Sequence, residues 1–224
     1  MKYKSIAVDG PSGAGKSTMA KGVAAALGFL YVDTGAIYRT LGLFALRKGV
    51  APGERDKVIP LLPQVSIHMA YGEDGLQHMY LGEEDVTEVI RRPEVSDAAS
   101  QISALPEVRA FLLEMQRDMA RKNNVIMDGR DIGTVVLPDA DVKIFLTASA
   151  EDRAMRRYRE LLERGTQTDY DTVLSEIQER DERDSSRAAA PLKQAKDACL
   201  VDTTGKSLEE SFQLLLRIIQ EQLA

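Results

Sequence analysis

Short apolar runs alternate along this chain with stretches in which apolar residues recur every three to four positions. Five runs read as buried strands: Ile6-Ala7-Val8, Phe29-Leu30-Tyr31-Val32, Val125-Ile126-Met127-Asp128, Val142-Lys143-Ile144-Phe145-Leu146 and Cys199-Leu200-Val201-Asp202. Between them the helical period takes over. Met19, Val23, Ala26 and Leu27 share one face, and a helix spans about 36–48. Val95, Ala98, Ala99 and Ile102 line another, Leu105-Pro106 breaks the chain, and a helix from Glu107 carries Val108, Phe111, Leu112, Met115 and Met119 inward. Ser149 with Asp152 reads as a capping-box variant. Ser207-Leu208-Glu209-Glu210 is a full box opening a last helix, with Leu208, Phe212, Leu215, Leu216 and Ile219 on its inner face. From Pro52 to about Arg92 the period drops to two: Val65 to Met69 and Leu76 to Tyr80 alternate around an Asp74-Gly75 turn, with a short third strand near 85–87. The pattern predicts an α/β fold, a five-stranded parallel sheet flanked by helices, carrying an inserted small antiparallel sheet.

Composition narrows the function classes. The chain has 224 residues, 44% of them hydrophobic, enough for one domain with an insertion. With 29 Lys and Arg against 35 Asp and Glu, the net charge of -6 argues against bulk nucleic-acid or acidic-membrane binding. No apolar run approaches a membrane span, no signal peptide precedes the first strand, and one cysteine, Cys199, excludes an intramolecular disulfide. A cytoplasmic monomer with Cys199 in its core is expected. His68 and His78 fall in the alternating segments, where further metal ligands are missing, so surface positions are expected.

Chemistry enters at Gly10-Pro11-Ser12-Gly13-Ala14-Gly15-Lys16-Ser17, followed by Thr18, which fits G-x-x-x-x-G-K-[ST] between a strand and a helix. Glycines there turn backbone N–H groups inward and the helix N-terminus adds its positive end, so the loop holds phosphates. Lys16 is placed to reach the β- and γ-phosphates and Ser17 to meet Mg²⁺. Nucleoside triphosphate binding follows, but not the reaction. Thr34 and Arg39 follow the second strand's carboxyl end, where ligands of open α/β sheets bind. Asp128 ends an apolar strand in the manner of a Walker B carboxylate and is a candidate for the Mg²⁺ shell, through water. Arg130-Asp131 comes next, pairing a phosphate clamp with a hydrogen-bond acceptor. Between 151 and 191 stand eight arginines, eleven acids and no lysine. Exclusive Arg suits bidentate phosphate recognition, and two helices joined through Gly165-Thr166-Gln167-Thr168 read as a lid. On pattern alone Ser100 and Arg109 are ordinary surface residues.

Taken together, Asp9 to Ser17, Asp33-Thr34-Gly35-Ala36-Ile37-Tyr38-Arg39, Asp128 to Thr134, Glu179 to Asp184 and Arg187-Ala188-Ala189-Ala190-Pro191 resemble the bacterial cytidylate kinases, in order and over nearly the whole chain. The resemblance implies a nucleoside monophosphate kinase: a P-loop core (about 1–35, 107–150 and 192–224), a monophosphate-binding arm (about 36–106) and a lid (about 151–191). It implies ATP and CMP or dCMP as substrates, Mg²⁺ as cofactor, and neither nucleic acid nor membrane as partner. Carried onto this sequence, Arg39, Arg130 and Arg187 hold the monophosphate, Ser100, Arg109 and Asp131 read the cytosine, Arg180 and Asp184 take the sugar hydroxyls, and Thr34 lies near the acceptor. Arg153 and Arg157 are the lid arginines expected at ATP. Lys16, Arg130 and Arg187 carry the catalysis by screening two polyanions. A kinase of another small molecule would lack the cytosine reader. A P-loop switch or nucleic-acid ATPase would phosphorylate no acceptor.

Overall fold

The computed structural model describes residues 3–72, 75–163 and 165–223; the expected turn residue Asp74 and the lid residue Arg164 lie outside them. The elements begin with β1(Ser5–Asp9), α1(Lys16–Leu27), β2(Leu30–Asp33), α2(Thr34–Arg47) and a single turn, α3(Arg55–Val58). Next come β3(Ile67–Tyr71), β4(Gln77–Leu81), β5(Glu84–Asp85), α4(Pro93–Ile102) and α5(Pro106–Lys122). The chain then runs through β6(Val125–Gly129), β7(Val142–Thr147), α6(Ala150–Glu163), α7(Tyr170–Ser186), β8(Cys199–Asp202) and α8(Leu208–Leu223). Two compact units result, Met1–Leu30 with Asn123–Ala224, and Tyr31–Lys122.

The five-stranded sheet has the order β2-β6-β1-β7-β8. In the first unit β1 pairs in parallel with β6 and β7, and β7 with β8. Parallel strands covered on both faces are apolar throughout, and Ile6, Ala7, Val8, Val125, Ile126 and Met127 are all fully buried. The register sets Asp9 beside Gly129, so the carboxyl ends of β1 and β6 finish level. Two loops that carry chemistry therefore leave the sheet side by side.

The second unit has its own core. Ile37, Leu41, Met79, Val95, Ile102 and Leu112 pack into one cluster from α2, β4, α4 and α5. The antiparallel β3-β4-β5 sheet is as the alternation predicts, with both histidines in strands. His78 Nδ1 lies 2.8 Å from Asp85 Oδ2, and His68 stacks on Tyr80.

Several expected faces are rotated. On α1 the inward residues are Met19, Ala20, Val23 and Ala24, and Ala26 faces out. On α5 they are Val108, Leu112 and Gln116, leaving Phe111 41% exposed and Met115 and Met119 half-buried. On α8 Leu208 is 60% exposed, because the capping box places it in the first turn outside the sheet's shelter. Cys199 is half-buried, since only Val201 of the edge strand β8 turns fully inward. The Ser149 cap makes one arm only: its Oγ accepts from the Asp152 amide, but Asp152 Oδ2 accepts from the Gly205 amide instead. Among the described residues no helix is long and apolar enough to cross a membrane.

Candidate active site

The loop from Gly10 to Gly15 follows β1 and delivers the chain into α1. Gly10, Gly13 and Gly15 have φ of 151°, 75° and 83°. A Cβ on Gly10 would stand 1.9 Å from the Leu146 carbonyl oxygen, so the loop hugs β7 only because residue 10 has no side chain. Lys16 is only 5% exposed, and its Nζ donates to the Pro11 carbonyl at 2.6 Å, arching over the loop. Burial first, and the Arg130 charge second, hold its pKa well below the usual lysine range.

Ser17 Oγ donates to Asp128 Oδ2 at 2.8 Å. A hydroxyl and a carboxylate side by side at a phosphate loop are the hard oxygen donors that Mg²⁺ takes when substrate phosphates supply the rest. The donor set fits that ion. Among the described residues no group of three or more His, Cys, Asp or Glu forms a self-sufficient metal site.

At the end of β6, Arg130 Nε donates to Asp184 Oδ2 at 2.8 Å, joining the strand end to α7. Arg187, the last cap of α7, brings its guanidinium within 3.8 Å of Asp131 Oδ1 and 3.9 Å of Asp184 Oδ1, while its Nε donates to Ala190 O at 2.6 Å. Two arginines and two carboxylates thus share one patch. Burial would raise the Asp184 carboxyl, but Arg130, with Arg180 and Arg187, more than offsets it and holds the carboxyl below the usual range. Of the residues expected to bind the acceptor, the first unit brings together Arg130, Asp131, Asp184 and Arg187, with Arg180 close enough for its charge to act.

The remaining expected acceptor residues belong to the second unit. Asp33 caps α2 through the Ala36 amide and pairs with Arg39 Nη2 at 2.7 Å, which fixes that guanidinium one turn into the helix. Burial would raise Asp33, and Arg39 overrides it, so the carboxyl is held below its usual range. Thr34 is buried as the first residue of α2. Arg109 is no ordinary surface residue: its guanidinium lies 5.4 Å from the Tyr38 ring centre, and Nη1 donates to Ser103 O at 3.2 Å. Ser100 is half-buried on the same α4 turn, its carbonyl accepting from Ser103 Oγ.

Arg153, one of the two lid arginines expected at ATP, lies against the phosphate loop. It is 4% exposed and donates through Nε to Ala148 O, through Nη1 to Ser12 O at 3.0 Å, and through both terminal nitrogens to Asp181. Those bonds fasten α6 to α7 and to the phosphate loop. Arg157 pairs with Glu160 at 2.9 Å. Sequence reasoning passed over four side chains of consequence. Asp9 accepts the Ile132 and Gly133 amides, and Asp33 holds Arg39. Gln77 clasps the Asp33 backbone from β4, and Arg156 reaches Thr203 O. Only Asp9 and Asp33 had a signal, a carboxylate at the carboxyl end of a strand.

The family model for cytidylate kinase matches residues 6–221. A cytidylate kinase of Carboxydothermus hydrogenoformans is 51% identical over 214 residues, covering 96% of each chain. One of Caldicellulosiruptor bescii is 49% identical over 218 residues, covering 97% of this chain and 96% of the relative. Among solved structures, an uncharacterized protein of Eubacterium ventriosum has a TM-score of 0.54 at 13% identity, covering 98% of this chain and 99% of that one, which speaks for the fold alone. The chain belongs to the cytidylate kinase family.

Proposed function

We propose that the chain transfers the γ-phosphoryl group of ATP to CMP or dCMP through the residues described above. An anionic phosphate oxygen of the acceptor attacks the γ-phosphorus, the bond to the β,γ-bridging oxygen breaks, and that electron pair leaves with ADP. The nucleophile carries no proton to remove, so no general base is required. What the protein supplies is alignment and charge. Lys16 and the loop amides from Gly10 to Thr18 hold the donor phosphates. Ser17, and Asp128 through water, would hold Mg²⁺, and the ion would supply further neutralisation of phosphate charge. Arg130 and Arg187 screen the transferring group, Asp131 reads the cytosine amine, and Arg180 with Asp184 takes the sugar hydroxyls. Arg39, Thr34, Ser100 and Arg109 are assigned to the same acceptor on the strength of the family pattern.

The observation that carries this reading is the Arg130–Asp131–Asp184–Arg187 patch at the end of β6, the strand beside the one that feeds the phosphate loop. Guanidiniums there meet a phosphate while the carboxylate accepts from an exocyclic amine, which cytosine has at position four and uracil lacks. Asp131→Ala tests it. A hydrogen bond to a charged group contributes roughly 1.5–3 kcal/mol, so kcat/KM for CMP should fall about 10- to 150-fold and for UMP far less. Equal losses for the two substrates would take Asp131 out of base recognition.

A further inference from the structure

We propose that Asp9 is a positioning residue that sets Arg130 and Asp131 by gripping the two amides that follow them. Asp9 is the last residue of β1, only 3% exposed, and its two oxygens accept separately from Ile132 N and Gly133 N, each at 2.7 Å. Those are the first two peptide groups after Asp131. The carbonyl of the same 131–132 peptide group, pointing the opposite way, accepts from the Val135 and Val136 amides, at 2.9 and 3.2 Å, as the chain makes one wide turn. The backbone of the base-reading residue is thereby held from both directions.

Three features separate this from ordinary packing. First, a carboxylate is a poor choice for the place on electrostatic grounds, because burial and the neighbouring Asp131 charge both oppose it, pushing its pKa up to about 6. What favours it is the need for two acceptor oxygens facing two amides, which a neutral amide side chain cannot meet. Second, the grip lies in a closely filled place: a Cβ on Gly133 would touch Asp9 Oδ2 at 3.4 Å and press on Lys143 Cδ at 3.2 Å. Third, Asp9 directly precedes Gly10. One side chain therefore references the acceptor loop to the strand that carries the phosphate loop, with no contact to either substrate required.

The inference rests on the reading of Asp131 as the base reader, so three variants are measured together. Asp9→Asn keeps the shape but presents an NH2 to one of the two amides. It should raise KM for CMP about tenfold, the value of one charge-assisted bond, leave KM for ATP within about twofold, and lower the CMP-to-UMP ratio of kcat/KM. Asp9→Glu, which keeps both oxygens but moves them by one methylene, should move these quantities the same way by a smaller factor, and it decides the question if Asp9→Asn does not fold. A purely structural Asp9 would depress CMP and UMP turnover equally. If Asp131→Ala shifts the ratio and neither of the other two does, Asp9 has no positioning role and the base reader stands. If Asp131→Ala leaves the ratio unchanged, the base reading falls. Asp9 is then judged on KM alone: a rise for CMP without one for ATP supports it, and parallel rises or none overturn it.

Discussion

Replacing Arg153 by alanine separates two roles that the same residue type can play beside a phosphate loop. The guanidinium is almost wholly buried and donates to two backbone carbonyls, Ala148 O and Ser12 O, and to both oxygens of Asp181. Breaking a buried pair by removing one partner costs about 3–5 kcal/mol, because the other charge is stranded. Asp181 is 24% exposed and regains some water, so we take about 3 kcal/mol as the expected loss. In a chain of 224 residues each kcal/mol moves the unfolding midpoint by about 2–4 °C, giving a drop of about 6–12 °C without any nucleotide present. Arg153→Lys keeps the charge but not the fork, and should fall about halfway between. Calorimetry of the nucleotide-free protein reads the midpoint, and steady-state kinetics reads KM for ATP, which should rise only a few-fold as the Ser12 carbonyl loses its anchor. A midpoint within about 1 °C of the parent, with KM for ATP raised tenfold or more, would refute the structural role and return Arg153 to the nucleotide.

Lys16→Met should abolish turnover yet raise the unfolding midpoint of the nucleotide-free protein. Burial depresses its pKa below 10.5, so the stability cost of the buried amine grows as pH falls from 10.5 towards the folded value and is fully present below it; an unchanged or lower midpoint counts against this. Asp184→Asn should cost about 3 kcal/mol at neutral pH by freeing Arg130 and Arg187. The Asp184 carboxyl is depressed in the fold, so its contribution is full above pH 3.8 and disappears as pH falls through the folded value; urea midpoints for the two proteins should converge there, and a gap that persists would show that charge is not the cause. In the small α6–α7 cluster of Ala154, Leu161, Val173 and Ile177, Ile177→Ala should lower local stability by about 2–3 kcal/mol and speed amide exchange across that hairpin by roughly 30- to 150-fold. Exchange rising equally in β1, β6 and β7 would mean that the hairpin does not open by itself.

Much of this was legible in the chain because it is encoded locally. A phosphate loop announces itself by glycine spacing, and Ser207 with Glu210 makes both arms of its predicted box, at 2.8 and 3.2 Å. The five strands were found within one or two residues, since buried parallel strands are unbroken apolar runs. Helical phase was harder. On α1 and α5 several apolar residues sit within one turn of each other, and period alone does not say whether Ala24 or Ala26, Gln116 or Phe111, meets the core. A buried glutamine, satisfied in part by the Leu112 carbonyl, is invisible to a hydrophobicity pattern. Roles fixed by distant partners were beyond reach. Nothing near Arg153 in sequence signals that its partners are Ser12, 141 residues away, and Asp181. Cys199 shows the reverse error, an apolar run read as core although an edge strand turns only alternate residues inward.

The placement of β1 has a consequence for how the protein is made. Ser5 pairs with Val125, and the strand's other neighbour, β7, begins at Val142. During synthesis the first strand therefore leaves the ribosome with no partner, while residues 31–122 emerge as a continuous stretch holding a complete hydrophobic cluster. That stretch holds the contacts it needs to fold before the large sheet is complete. The central strand, with its fully apolar Ile6-Ala7-Val8, waits until β6 and β7 have followed, some 120 residues later. A wholly buried segment is thus made long before its partners, and its open edges make the half-made chain, not the finished one, the species most in need of a chaperone.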